Sequence, residues 1–271
     1  NNQGFMVNGV ARSFLLHLPT GAGTTGPWPV IFNWHGYGDT ASNMSQLLKN
    51  SVDSQIMPFI LVTPEDTNIQ LPSGVDWDVL KLYADNKEVA MFDTILACLD
   101  WQYGIDENHI HSIGFSAGSI MTDALGTLRG DQLASVMTWS GGYFSNPANV
   151  QLLDPVVQGF VSWPEYNTTN KYAEILISGG TNDKFGGNYG VFTLWIHFDQ
   201  MSANDETWLN QNGHDVISCK HSQGHTAPAG FDPENAIKFF RDHPKGVTDS
   251  PYANMLPVTF PSWCYFSGKA K

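Results

Sequence analysis

Six short apolar runs, each bounded by turn residues and separated by stretches of helical periodicity, constrain this chain more than any other feature. They lie at 29–34, 58–63, 109–114, 134–139, 174–179 and 216–219. Near-continuous apolar runs of this length suit strands buried on both faces of a parallel sheet. Helical stretches fall at 40–54, 86–103, 117–129, 191–211 and 232–242, and the segment 88–99 (EVAMFDTILACL) has clear helical period. Asp232-Pro233 supplies an N-cap followed by Pro at the first helical position. A hairpin opens the chain, with strands at 5–7 and 10–18 around Asn8-Gly9. Strands alternating with helices predict an α/β fold, a doubly wound, mostly parallel sheet behind an antiparallel N-terminal hairpin. No linker, repeat or low-complexity stretch interrupts the series, so residues 1–271 read as one domain. The least regular stretch, 143–171, reads as a cap or an extended active-site loop.

Charge narrows the partners. The net charge is −13 and the thirteen Lys and Arg form no cluster, which argues against nucleic acid and anionic membranes. A neutral polysaccharide, polyester or small uncharged ester meets no such repulsion. Charged residues make up only 14% while aromatics reach 13%, with nine Trp, a balance suited to an extracellular globular protein. No apolar run approaches the roughly 18–20 residues that span a bilayer. A start at Asn1 is compatible with a removed signal peptide, and Asn43-Met-Ser45 and Asn167-Thr-Thr169 are N-glycosylation acceptor patterns. Secretion and a monomeric state are the expectations. Three Cys permit one internal disulfide. Cys219 ends the last apolar run and Cys264 lies in the tail, so pairing them would tie the tail down. Cys98, on the apolar side of its helix, reads as a buried free thiol.

Gly114-Phe-Ser116-Ala-Gly118 is a GxSxG sequence. A chain this rich in Gly and Ser contains one by accident roughly once in five or six, so context must decide. Here a strand-like run precedes it and a helix-like run follows, the junction that lifts a serine hydroxyl above a sheet. Ser116 is the candidate nucleophile, with Gly36 and Phe115 beside it in the substrate site. The alternative is a Gly-rich turn that only packs helix on sheet. Ala117, at the positive end of the helix, and Tyr37, in Asn33-Trp-His-Gly-Tyr-Gly38 after an earlier strand, are the candidate oxyanion donors. The His35 side chain reads as a packed loop histidine. Asp183 follows the run 175–180 (ILISGG) and is the candidate acid, while Asp199 and Asp205 read as solvated helix residues. His221 and His225 both fall before the last helix. His225 sits mid-loop, where it can swing over the serine, and is the candidate base. His221, nearer the strand, reads as structural. The order Ser, Asp, His separates this set from the chymotrypsin and subtilisin orders.

His35-Gly-Tyr-Gly38, Gly114-Phe-Ser-Ala-Gly118, Gly180-Thr-Asn-Asp183 and Gly224-His-Thr226 together resemble the polyhydroxybutyrate depolymerase/feruloyl esterase group of secreted α/β-hydrolases. The resemblance implies the α/β-hydrolase fold and a serine carboxylesterase without cofactor or metal. It points to feruloyl esters of plant cell walls, with acetylxylan esters or polyesters as alternatives. A non-catalytic binding protein on the same fold is the reading from another class. Within Asp76-Trp-Asp78 the group often carries a Trp facing the site. Trp77 therefore has two readings, a substrate-stacking platform or a cover for the core edge. Three positions depart from the group: Ser119 where Gly is frequent, Ala227 where an aromatic commonly follows the histidine, and Gly104 where many members have Cys. None of the nine His forms a metal-ligand motif, with His109 and His111 reading as packed or solvent-facing, and no nucleotide-binding motif is present.

Overall fold

The computed structural model describes residues 2–69, 74–83, 85–189, 192–247 and 249–268. Its strands are β1 (Asn2–Val7), β2 (Val10–His17), β3 (Trp28–Trp34), β4 (Ile60–Pro64), β5 (Ile105–Phe115), β6 (Ser135–Trp139), β7 (Ala173–Ser178), β8 (Lys184–Tyr189), β9 (Phe192–His197), β10 (Val216–Lys220) and β11 (Cys264–Phe266). Nine of these form one sheet in the order β1-β2-β4-β3-β5-β6-β7-β10-β11. The strands from β4 to β10 run parallel, and β2 and β11 join antiparallel at either side. The helices are α1 (Ala41–Ser45), α2 (Lys87–Tyr103), α3 (Ala117–Arg129), α4 (Pro147–Val150), α5 (Pro155–Gln158), α6 (Phe198–Gln211) and α7 (Pro233–Asp242).

Alternation within the apolar runs feeds two cores at once. Val30, Phe32, Ile60, Val62, Val136, Leu176 and Val216 pack with α2, α3 and α6 residues such as Phe92, Met121 and Leu209. Ile31, Leu61, Met137, Ile175, Ile177 and Ile217 point the other way, against Leu48 and the α7 residues Ile237 and Phe240. The central strands are therefore largely apolar, because they are covered on both faces.

Four local expectations change. The stretch 40–54 forms only α1, which Thr40 caps, followed by turns and one 3-10 turn at Lys49–Ser51. Its Ser and Asn side chains compete for backbone groups, as Ser45 Oγ does by donating to Ser42 O at 2.9 Å. The helix expected over 191–211 begins at Phe198; residues 192–197 (FTLWIH), rich in β-formers, instead pair with β8 in a separate hairpin, and residue 191 lies outside the described residues. The tail adds the unforeseen strand β11, which sets Cys264 opposite Cys219 in a disulfide of 2.11 Å. Cys98 is free and half-buried rather than buried.

Candidate active site

Ser116 sits between β5 and α3 with φ of 55°, a left-handed conformation that a non-glycine residue adopts only under constraint. The constraint is backbone packed on backbone. A Cβ at Gly114 would lie 2.1 Å from Gly118 O, and one at Gly118 would lie 2.2 Å from Trp34 O. Neither glycine can be replaced without moving β3 or α3. Ser119, one departure noted above, places its hydroxyl 2.6 Å from Gly114 O and 2.7 Å from Trp139 O, and so ties the turn to β6. Ser116 N donates to the same Trp139 carbonyl at 2.8 Å.

The candidate base and acid meet this serine. Ser116 Oγ lies 2.9 Å from His225 Nε2, and His225 Nδ1 lies 2.8 Å from Asp183 Oδ1. The fully buried Asp183 accepts on its other oxygen from Gly179 N at 2.7 Å and Ser140 Oγ at 2.9 Å. That arrangement orients one carboxylate edge toward the imidazole and fixes Nδ1–H as its donor. The loops carrying acid and base cross at glycines. A Cβ at Gly179 would lie 1.9 Å from Gly224 O, and Gly180 has φ of 73°. His225 is stacked between Phe115 at 5.1 Å and Phe198 at 4.8 Å. His221 turns inward, accepts from Gln223 N at 3.1 Å and packs edge-on to Trp263; burial lowers its pKa.

Ala117 is the first residue of α3, where the N–H has no intrahelical acceptor. The loop after β3 lies directly above, since a Cβ at Gly36 would meet Phe115 Cδ1 at 3.0 Å and Ser116 Cβ at 3.4 Å. Trp77 corrects one expectation. It has no exposed surface, its edge meets Trp34 at 5.2 Å, and its Nε1 donates to His35 O at 3.0 Å. No ring face is left for a substrate; the indole braces the Gly36 loop from below. Asp76 helps, accepting from Gly38 N at 2.5 Å, although burial raises its pKa.

One exposed aromatic near the triad comes from a hairpin that the apolar pattern did not resolve. Phe185 of the β8–β9 hairpin is 37% exposed, enough to meet a ligand, while Trp195, opposite Gly186 in the register, lies on the other face of the hairpin under Lys184. Phe185 lies 6.0 Å from Tyr37 and 5.6 Å from His225. Asp205 is a second correction. It is buried rather than solvated, and accepts from Tyr143 N, Asn146 Nδ2 and Asn149 Nδ2, pinning the start of the irregular stretch to α6. The signal for it was a dense Asn set at 146 and 149, which buried carboxylates need as donors.

Comparison with known proteins agrees with this architecture. Residues 26–154 match the family model described as Phospholipase/Carboxylesterase. No curated protein sequence matches the chain. Among solved structures, native pOPH superimposes with a TM-score of 0.77 at 15% identity, over 99% of this chain and 94% of that one. An S-formylglutathione hydrolase from Agrobacterium tumefaciens gives 0.60 at 12% identity, over 89% and 90%. A ferulic acid esterase from Anaeromyces mucronatus, in complex with ferulic acid, gives 0.57 at 15% identity, over 91% and 89%. The fold is that of the α/β-hydrolases. At these identities the likeness extends to the fold, and the chemistry rests on this chain's own residues.

Proposed function

We propose that this chain is a serine carboxylesterase with Ser116 as nucleophile, His225 as base and Asp183 as acid, acting on hydroxycinnamoyl esters of plant cell-wall polysaccharide outside the cell. The continuous chain of contacts from Asp183 through His225 to Ser116, 2.8 and 2.9 Å long, carries the reading. His225 Nε2 takes the hydroxyl proton as Ser116 Oγ attacks the ester carbonyl. The developing oxyanion accepts from the N–H groups of Ala117 and Tyr37. Collapse expels the alcohol, which receives the proton from His225. Water, deprotonated by the same imidazole, then attacks the acyl-enzyme and releases the acid. Asp183 holds the tautomer throughout. A strained serine backed by an intact relay argues against a merely binding role.

The hydroxycinnamoyl preference is supported by the half-exposed rings of Tyr37 and Phe185, which lie 6.0 Å apart, with Phe185 5.6 Å from His225, and offer flat apolar faces beside the nucleophile. Ala227, exposed after His225, adds no aromatic wall, so the hairpin takes that part. The ferulic acid carried by the Anaeromyces mucronatus structure fits the same acyl class. No helix among the described residues is long and apolar enough to cross a membrane. The disulfide, and the exposure of Asn43 and Asn167, support an extracellular setting. Hydrolysis of methyl hydroxycinnamates, acetylated xylan and short p-nitrophenyl esters tests the preference. The highest kcat/KM is expected on a hydroxycinnamate. A higher value on acetylated xylan would move the assignment to an acetyl esterase.

A further inference from the structure

Behind the Gly36 loop, the side chain of His35 faces two carboxylates in a manner that the ester chemistry does not use. His35 is completely buried, and its Nε2 has no hydrogen-bond partner among the described residues. Its Nδ1 lies 2.9 Å from Gly36 O and donates to that carbonyl, since a carbonyl can only accept. Neutral imidazole then presents a bare lone pair at Nε2. That lone pair faces Glu65 Oε1 and Asp66 Oδ2, each at 3.4 Å. Three acceptor atoms this close repel one another unless positive charge offsets them, and the one donor to Glu65 among the described residues, Ala41 N at 3.3 Å, carries only a partial charge. Among the described residues no Lys or Arg pairs with either carboxylate.

We propose that His35, Glu65 and Asp66 bind a divalent first-row metal ion, best matched by Zn2+. The three ligand atoms lie within 4.8 Å of one another. A tetrahedral ion about 2.1 Å from its ligands separates neighbouring ligand atoms by about 3.4 Å, the spacing seen from His35 to each carboxylate. A protonated imidazole would instead close to about 2.7–2.9 Å on one carboxylate. One imidazole and two carboxylates suit zinc, and a histidine ligand that donates its other nitrogen to a backbone carbonyl has the usual second partner of a metal site. Asp76, electrostatically close to both His35 and Asp66, adds negative potential. Entry is open from the Glu65 side, which is partly exposed, while His35 forms the closed end. The ion would tie the end of β4 to the loop that carries Tyr37. Cation binding here does not depend on the chemistry assigned to Ser116.

Zinc titration of the full chain after dialysis against a chelator tests the site. His225→Ala protein is used so that the triad imidazole contributes nothing. One equivalent of Zn2+ should bind, and at about a hundredfold excess over Kd the melting temperature should rise by roughly 5 °C or more. Cobalt(II) should give the visible bands of a tetrahedral site. Glu65→Gln/Asp66→Asn should lose both effects while keeping the wild-type circular dichroism. Should the pair fold poorly, Glu65→Gln or Asp66→Asn alone should weaken binding at least about tenfold. Failure to bind zinc at about millimolar concentration, or equal binding by folded carboxylate variants, would overturn the proposal and leave His35 as a proton-sharing packing residue.

Discussion

On one side of Ser116 the chain is held by backbone against backbone, and on the other by aromatic side chains carried on a hairpin. The elbow side admits no Cβ at Gly114 or Gly118, and Trp77, fully enclosed, supports the neighbouring loop. The hairpin side presents Phe185, 37% exposed, beside His225, on strands paired only with each other among the described residues. The contrast separates two tasks. Placing a nucleophile, base and acid to within tenths of an ångström requires contacts that cannot relax, whereas selecting an acyl group requires only surfaces that can be exchanged. Substitutions on the two sides should therefore fail differently.

Interrupting the relay should have the largest effect. Asp183→Asn should reduce kcat on a p-nitrophenyl ester by about 10⁴-fold, because the amide favours the wrong imidazole tautomer. His221→Ala should stay within a fewfold of wild type. A dispensable Asp183 would detach the acid from the rigid side altogether.

Gly118→Ala comes next. Its Cβ would fall 2.2 Å from Trp34 O, so β3 and α3 must separate, and destabilisation of about 3 kcal/mol or more is expected by urea unfolding. A variant as stable as wild type would show that the elbow has slack.

Buried acids set the third prediction. Burial pushes Asp205 up to about 7 and Glu174 up to about 8. Asp123, buried beside them, is raised in the same direction. The folded state thus holds protons that the unfolded chain releases above about pH 4. The stability these groups contribute is full below that range and is lost as pH rises through 7 and 8, with a slope of at most about 1.4 kcal/mol per pH unit for each group. Urea midpoints should be lower at pH 8 than at pH 7, above the range in which the unfolded chain's histidines titrate, and Glu174→Gln should flatten that fall. A midpoint that rises with pH would mean that these carboxylates are ionised in the fold.

The smallest effect belongs to the rim. Phe185→Ala should lower kcat/KM for a methyl hydroxycinnamate by about tenfold, with a smaller loss on a short acetyl ester and the melting temperature nearly unchanged, as for loss of about 1.4 kcal/mol of contact. Trp77→Ala should do the reverse, costing about 3–5 kcal/mol of stability and affecting both esters alike. Equal behaviour of the two variants would erase the distinction between the sides.

The same contrast explains what could be read from residues alone. The elbow was legible because a local motif, GxSxG between an apolar run and a helical one, fixes it within five residues. The parallel sheet was legible from apolar runs that serve two cores. The β8–β9 hairpin was not, since FTLWIH carries apolar residues compatible with either period and leads directly into a true helix at Phe198. Trp77 had two readings because a loop indole reveals nothing of the side it turns to. Asp205 looked solvated because its three donors come from a segment 56 to 62 residues away. Glycines at 179 and 224 carried a signal of close loop crossing, but only the fold shows that they meet each other.

Covalent labelling tests the central claim most directly. A fluorophosphonate ester should react with the native protein in one-to-one stoichiometry, abolish esterase activity, and yield a single modified peptide with the adduct on Ser116. Ser116→Ala, folded as wild type, should take up no label and should lose about a millionfold in kcat. An adduct on another residue with Ser116 unmodified, or esterase activity that survives in the alanine variant, would contradict the account.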